Sequence, residues 1–130
     1  MRFEEKHPPR LFETGWEPHR RMIADCGSMY LETDEQVTLM TSDGAEYDVT
    51  RKDFGFYATP SLNGRLSGFG LRAVLVCNRS GRYFVLLVEN GKEDLFDTYL
   101  AEEAMAVVTW LDSDEALACL AGRMKGSDED

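Results

Sequence analysis

Two runs of almost wholly apolar residues, separated by a short polar segment, constrain the fold most strongly. They are LRAVLVC (residues 71–77) and YFVLLV (residues 83–88), and the NRSGR segment between them contains the Asn, Ser and Gly residues typical of a hairpin loop. Both runs are far shorter than the roughly 20 residues that cross a bilayer. We therefore predict an antiparallel pair of strands at the centre of a sheet, with both faces covered.

A second hairpin is predicted between residues 36 and 50. QVTLMT and EYDVT flank the dipeptide Asp43-Gly44, which favours a tight turn because the central positions of such a turn require positive φ. The alternation of residue types predicts that one face of this hairpin packs inward. Glu46 and Asp48 fall on the other face, where we expect them to be solvated.

Helix signals follow the strands. KEDLFDTYLAEEA (residues 92–104) has an apolar stripe opposite acidic residues, AMAVVTWL (104–111) indicates a further strand, and DSDEALACLAG (112–122) begins with capping residues and ends at Gly122. Because most strands precede the helices, the predicted class is α+β. We expect a mostly antiparallel sheet of about five to six strands, with two C-terminal helices packed on one face.

The predicted organisation is one domain with an extension at each end. Residues 1–25 contain three prolines and little periodicity, which predicts an extended N-terminal arm and no regular element. Residues 26–124 form the α+β domain, and residues 125–130 are predicted to be a disordered acidic tail. The arm or a second subunit would cover the second face of the central strands, so we expect a homo-oligomer.

Composition excludes several classes of protein. The formal net charge of −10 opposes non-specific binding to nucleic acid or to an anionic membrane. The N-terminus has no apolar segment of the kind a signal peptide needs, and the three cysteines are odd in number and widely spaced. These features predict a cytoplasmic protein with buried or half-buried thiols. The two histidines lack partners at ligand spacing, so no metal site and no cofactor is predicted.

Positive charge is concentrated in the middle of the chain. Residues 51–90 carry six basic and two acidic residues, whereas residues 26–50 carry six acidic residues and no Lys or Arg. Residues 91–130 carry three basic and eleven acidic residues. A cationic segment in an acidic protein is able to attract a compact anion, and the planar guanidinium of Arg pairs with phosphate or carboxylate through two hydrogen bonds.

The stretch DFGFYATPSLNGRLSGFG (residues 53–70) supplies the predicted ligand-binding residues. Its glycines allow a close approach of the backbone to a ligand, and its aromatic rings suit stacking. The predicted residues are Arg51, Lys52, Arg65 and Arg72 for charge, Phe56 and Tyr57 for stacking, and Ser61 and Asn63 for orientation. Two structural alternatives stay open: the stretch is only a turn between strands, or its basic residues pair with the acidic hairpin at residues 32–48.

The residue pattern also resembles a family. DEQVTLMT, EYDVTRKDFGFYATPSLNGRLSGFGLRAVLV, GRYFVLLVENGKEDLF and VVTWLD, which together lie between Cys26 and Asp112, resemble small bacterial proteins without assigned function that are associated with surface-glycan and nonulosonic-sugar biosynthesis clusters. The resemblance implies an accessory role in glycan assembly. It carries no catalytic motif to transfer to this chain.

Three functional hypotheses follow. The first is a non-catalytic accessory protein that holds a small anionic ligand or a partner protein through residues 51–72, with no catalytic residue and no cofactor. The second is a small enzyme acting on an activated sugar, with Tyr57 or Asp53 as general acid or base. The third is a structural subunit that forms an oligomer.

Overall fold

A computed structural model describes the backbone of residues 1–129 and the side chains of residues 1–126. The predicted α+β class is confirmed, with eight strands and three helices in the described part of the chain. The elements in order are β1 (Arg2–Thr14), β2 (Arg21–Tyr30), β3 (Gln36–Met40), β4 (Glu46–Lys52), β5 (Gly55–Ala58), α1 (Arg65–Gly68), β6 (Leu71–Cys77), β7 (Tyr83–Glu89), α2 (Glu93–Glu103), β8 (Ala106–Trp110) and α3 (Asp114–Glu129).

The strands form three sheets, with orders β1-β2, β3-β4-β5 and β7-β6-β8. The chain divides into two compact units, of which the first comprises Met1–Thr38 and Asp48–Thr59 and the second Leu39–Tyr47 and Pro60–Asp130. The single domain expected over residues 26–124 stays a prediction, because a compact unit does not have to fold alone. Neither β1 nor β5 was expected, and β2 begins within the segment predicted to be an irregular arm, so the described chain has more strands than the five to six predicted.

The N-terminal segment forms a regular ribbon in the first unit, where an arm without regular structure was predicted. β1 pairs with β2 in antiparallel register, and the register shifts between Glu5 and Arg10. Pro8 and Pro9 lie within this interruption. Proline has no N–H to donate to a ladder, so it is tolerated where the pairing is broken. The two prolines therefore mark an irregularity inside a strand, not the absence of a strand.

Asp48 is a buried polar residue of the first unit, where it was predicted to be solvated. Its Oδ1 accepts a hydrogen bond of 2.6 Å from Thr38 Oγ1, and its carbonyl oxygen accepts one of 3.1 Å from the N–H of Thr59. A carboxylate is tolerated in a buried position when its oxygens are hydrogen-bonded. The alternation along β4 predicted a solvated Asp48, and this prediction is wrong, because Asp48 is the buried residue of the strand while Tyr47 and Val49 are half-buried.

β6 is the central strand of the second unit. Leu71 and Ala73 pack with Ala45 and Leu66, while Val74 and Val76 belong to a separate cluster that includes Val88, Phe96 and Trp110. Both faces of β6 are therefore covered, as predicted. β7 differs from the prediction because it is the edge strand of its sheet and most of its side chains are exposed.

The hairpin connections of the second unit occur at the predicted positions, but one of them differs from the predicted turn type. β6 and β7 pair without interruption from Leu71↔Glu89 to Cys77↔Tyr83. In the segment that follows β3, the N–H of Thr41 donates to the carbonyl of Ala45, and only Gly44 has positive φ, at 96°. The connection is thus longer than the two-residue turn that the Asp43-Gly44 dipeptide suggested.

The predicted helices occur, with one change of length. α2 (Glu93–Glu103) confirms the expected helix over residues 92–104. α3 continues through Gly122 to Glu129, whereas the sequence predicted an end at Gly122 and a disordered tail from residue 125. Asp130 lies outside the described residues. None of the helices in the described part of the chain combines the length and apolar character needed to cross a bilayer.

The cysteine prediction is partly wrong. Cys77 is half-buried, but Cys26 and Cys119 are exposed. The sulfur of Cys26 contacts the carbonyl of Ala24 at 3.6 Å. The general tendency of free cysteine to be buried does not hold at these two positions, because one lies on a two-stranded ribbon and the other on the surface of α3.

Candidate functional site

The eight residues predicted to bind a ligand are divided between the two units. Four of them, Arg51 and Lys52 on β4 and Phe56 and Tyr57 on β5, belong to the first unit. The antiparallel register of these two strands places Arg51 opposite Phe56. The other four, Ser61, Asn63, Arg65 and Arg72, belong to the second unit.

Both cations of the first unit have defined contacts. Lys52 Nζ lies 2.6 Å from Asp34 Oδ1, and this hydrogen bond raises the pKa of Lys52. Arg51 donates from Nε to the carbonyl of Lys52 at 2.9 Å and from Nη1 to the carbonyl of Leu31 at 3.3 Å. Asp53, the acid of the enzyme hypothesis, accepts a hydrogen bond from Thr33 Oγ1. The ion pair of Lys52 with Asp34 agrees, for this one residue, with the alternative that the basic residues pair with the acidic hairpin at residues 32–48.

Ser61, Asn63 and Arg65 surround the first turn of α1 in the second unit. Ser61 Oγ accepts a hydrogen bond of 2.9 Å from the N–H of Arg65, and Asn63 Nδ2 donates one of 2.7 Å to Asp114 Oδ1. The guanidinium carbon of Arg65 lies 5.2 Å from the centre of the Phe69 ring. Ser61 therefore has a local structural role, since it satisfies an N–H at the start of a helix.

Arg72 is bound on three sides. Its Nε lies 2.6 Å from Asp112 Oδ2, its Nη1 lies 3.8 Å from Glu93 Oε1, and its guanidinium carbon lies 3.9 Å from the centre of the Trp110 ring. The hydrogen bond to Asp112 is the main cause of a raised pKa at Arg72. These partners neutralise its charge, so Arg72 is placed to hold β6 against the end of β8. Anion binding by the eight residues together remains a prediction.

An apolar groove runs along β7 in the second unit. It has a volume of about 490 Å³, and its floor includes four consecutive residues of β7, Leu86 to Glu89. Leu86 and Val88 belong to the face that packs with Phe96. Successive residues of a strand point to opposite faces of its sheet. The lining also includes Tyr47, which packs on one face of the sheet, and Phe96, which packs on the other, so the groove runs along the edge of the strand. We call this feature the β7 groove.

Two walls flank the β7 groove. α2 supplies Leu95, Phe96 and Tyr99 on one side, and the segments around the β3–β4 connection supply Leu39, Met40 and Tyr47. Burial raises the pKa of the phenols of Tyr47 and Tyr99. Leu39, Met40 and Leu95 are nevertheless exposed, and Leu95 retains 69% of its accessible surface. The walls therefore present apolar side chains to an opening that no described residue fills.

A small set of polar groups lies in and beside the β7 groove. Lys92 Nζ lies 3.4 Å from Glu89 Oε1 and makes a shorter contact with Asp43 Oδ2. The hydrogen bond to Asp43 raises the pKa of Lys92 and lowers that of Asp43. Thr41 is a further lining residue. The groove thus combines a large apolar surface with few polar groups, which is typical of a binding site.

The sequence contains a signal for this groove, namely the apolar run YFVLLV, which was predicted to be a central strand. YFVLLV was assigned to the sheet centre because it is apolar on both faces. An edge strand that has no internal partner on one side, but that receives an external one, has the same composition. No described residue of this chain pairs with the outer side of β7. The apolar run therefore predicts the strand, but it does not show whether both edges of the strand are paired.

No protein-family model, curated protein or solved structure matches this chain. No group of three or more potential metal-ligating side chains occurs within the residues that were searched, which are the described ones.

Proposed function

We propose that this protein is a non-catalytic binding protein that holds an apolar segment of a partner protein in the β7 groove. The observation that carries the proposal is the combination of an unpaired strand edge with apolar walls on both sides. An extended segment that enters such a groove gains main-chain hydrogen bonds from the edge and pockets for alternate side chains from the walls. The function is therefore polypeptide recognition by strand addition.

The energetics favour occupation of the groove. Leu39, Met40 and Leu95 are large apolar residues that remain exposed. Removing apolar surface from water contributes roughly 25 cal/mol per Å². A ligand pocket commonly has a volume of roughly 300–1,000 Å³, and the β7 groove, at about 490 Å³, falls within that range. A partner segment would cover these side chains and pair the strand edge in one step.

A peptide selection tests this proposal. Random peptides displayed on phage are selected against the full chain, and the affinity of the enriched peptides is measured by fluorescence anisotropy. We expect peptides with alternating apolar residues, and a loss of affinity of at least about tenfold in Leu95→Glu, because a charge would enter the apolar wall.

The matched control for this selection is Phe54→Ser. Phe54 is an exposed aromatic residue of the first unit and does not line the β7 groove. Its substitution is expected to leave peptide affinity unchanged. Failure to enrich any peptide, or equal binding to the wild type and Leu95→Glu, would contradict the proposal.

The resemblance to proteins of surface-glycan biosynthesis clusters suggests which partners to test after the peptides. Under that resemblance, the partner is an enzyme of glycan assembly, and the protein is its accessory subunit. The enriched peptide sequences would then recur in an exposed segment of such an enzyme. Anisotropy with a synthetic peptide of that segment tests the assignment.

Anion binding in the first unit is a second candidate function. The observation that favours it is the position of Arg51, whose Nε and Nη1 are fixed by two backbone carbonyls. Its strand partner Phe56 is 66% exposed. A guanidinium with a fixed plane beside an exposed ring suits a planar or phosphorylated ligand.

Thermal unfolding in inorganic phosphate and in sugar phosphates tests the second candidate. A ligand that binds only the folded state raises the unfolding temperature. We expect the increase to disappear in Arg51→Ala and to persist in Lys52→Ala, because Lys52 already pairs with Asp34. If the anion raises the unfolding temperature equally in both variants, it binds at a site that does not include Arg51.

A further inference from the structure

We infer that the partner in the β7 groove is a second copy of this chain, which pairs its own β7 with this β7 in antiparallel orientation. The inference rests on the proposed function, because it names the partner for the same groove. It requires that the edge of β7 be accessible, regular and complementary to itself.

The backbone bonds that flank the β6–β7 ladder show which groups of β7 point outward. The N–H of Asn78 donates to the carbonyl of Arg82, and the N–H of Asn90 donates to the carbonyl of Gly70. Hydrogen-bonded pairs alternate along an antiparallel ladder, so the even-numbered residues of β7 bond to β6. The N–H and C=O groups of Tyr83, Val85 and Leu87 and the N–H of Glu89 therefore point away from β6 and form an open edge, whereas the carbonyl of Glu89 accepts a hydrogen bond of 3.0 Å from the N–H of Lys92.

This open edge lacks the features that usually prevent association. Proteins protect edge strands with charges, prolines or bulges. Residues 83–88 of β7 contain no charge and no proline, and the β6–β7 register has no shift. By contrast, the register between β6 and β8 shifts after Leu75, and that between β1 and β2 shifts after Glu5. The β7 edge is thus a regular template for another strand.

Symmetry restricts the register of the new pair. A two-fold axis perpendicular to the sheet relates the two antiparallel β7 strands and leaves the two faces of the sheet unchanged. Odd-numbered residues of one copy therefore pair with odd-numbered residues of the other. Centring the axis on Leu86 pairs Tyr83 with the partner's Glu89 and Val85 with the partner's Leu87. The phenol then lies beside a carboxylate at each end, and the middle is apolar. About six main-chain hydrogen bonds would form between groups that have no partner within the chain, because the Glu89 carbonyl already accepts from Lys92.

The alternative registers are less complementary. Centring the axis on Leu87 would place Val85 against the partner's Glu89, and centring it on Val85 would leave Glu89 without a strand partner. The register centred on Leu86 also uses the Glu89 carboxylate, whose Oε1 contacts Lys92 and whose Oε2 makes no hydrogen bond to a described residue. Complementarity of this kind indicates a second copy rather than an unrelated strand.

The same axis explains several exposed side chains of the second unit. On β7, Tyr83 is 64% exposed and Val85 is 60% exposed. On the walls, Leu39 and Leu95 are also exposed. The two-fold axis brings each wall beside its copy on the same face of a six-stranded sheet. The apolar side chains near β7 are then removed from water by one interface.

Sedimentation velocity of the full chain over a range of concentrations tests the inference. We expect the wild type to be a dimer and Val85→Pro to be a monomer, because the N–H of Val85 points outward and proline removes it without breaking a bond to β6. Val85→Thr keeps the N–H and the branched side chain, so it is expected to remain a dimer. Far-ultraviolet circular dichroism checks that each variant is folded.

A pair of substitutions at Tyr83 tests the register and remains informative if Val85→Pro does not fold. Tyr83→Lys places a cation opposite the partner's Glu89, whereas Tyr83→Glu places two carboxylates together. The dissociation constant of the Tyr83→Lys dimer is therefore expected to be roughly two- to thirty-fold lower than that of the Tyr83→Glu dimer. Equal dissociation constants would overturn the register.

The outcomes separate this inference from the proposed function. A monomeric wild type, or a dimer that persists in folded Val85→Pro, overturns the second copy as the partner. If selected peptides still bind the monomer and lose affinity in Leu95→Glu, the proposed function survives with a different partner. If the wild type is a dimer that Val85→Pro dissociates, the inference is supported.

Discussion

At the scale of residues, the contact between Lys92 and Asp43 couples stability to pH. The hydrogen bond from Lys92 lowers the pKa of Asp43 in the folded state. The folded state therefore binds a proton at Asp43 less readily than the unfolded chain does. The resulting stabilisation is fully present above the ordinary pKa of Asp, and it is lost as the pH falls through the lowered pKa.

Asp43→Asn tests this coupling. We expect the urea midpoint of the variant to be lower than that of the wild type at neutral pH, and the difference to disappear as the pH falls below the folded-state pKa of Asp43. In Lys92→Met, the carboxyl titration of Asp43, followed by NMR, is expected to move up toward the ordinary value. A titration midpoint that does not change in Lys92→Met would show that Lys92 is not the cause.

Individual contacts of the predicted site depend on long-range folding. Arg72 and Asp112 are 40 positions apart, and Asn63 and Asp114 are 51 positions apart. Charge density along the chain shows where the cations lie in the sequence, but no local pattern specifies which carboxylate reaches which cation. Side-chain partners are fixed by strand order and register, and both depend on packing across the whole unit.

At the scale of elements, α3 extends beyond the residue that was expected to end it. Glycine often terminates a helix because it adopts positive φ readily. Gly122 does not have positive φ, and no heavy atom lies within 4 Å of the position that a Cβ would occupy there. Gly122 is therefore an interior helical residue, where glycine is less favourable than alanine by about 0.8–1 kcal/mol.

Gly122→Ala tests the extent of α3. The substitution is expected to raise the free energy of unfolding by roughly 0.4–1 kcal/mol and to increase helical circular dichroism. The matched control is Gly70→Ala, because Gly70 has a φ of 87° and the added Cβ would lie 3.4 Å from that of Ala45. That control is expected to be destabilised. Destabilisation in Gly122→Ala would instead place the helix end where the sequence suggested.

The elements were more predictable than their environments. β6, β7, α2 and β8 all occur where local patterns placed them. β6 and β7 look alike in sequence, yet one is central and the other lies at an edge. Periodicity reports the two faces of a strand, whereas the hydrogen-bonding edges carry no side chains. The open edge and its groove therefore could not be predicted from residue types alone.

At the scale of the whole molecule, the net charge of −10 opposes the compact state through self-repulsion. Screening extends over about 30 Å at 0.01 M salt and about 8 Å at 0.15 M. At a fixed protein concentration, we expect the unfolding temperature to rise with sodium chloride over this range. Differential scanning calorimetry at each salt concentration measures the unfolding temperature. A fall would mean that the surface ion pairs, which salt also weakens, outweigh the repulsion.

The division of the chain into units has a practical consequence for dissecting it. Each unit is made of two separated stretches of sequence, since the chain passes from one to the other after Thr38, after Tyr47 and after Thr59. No single truncation keeps one whole unit and removes every residue of the other. A gene for the second unit alone would need a designed linker in place of residues 48–59, and a gene that ends at Thr59 would keep the whole first unit together with residues 39–47 of the second.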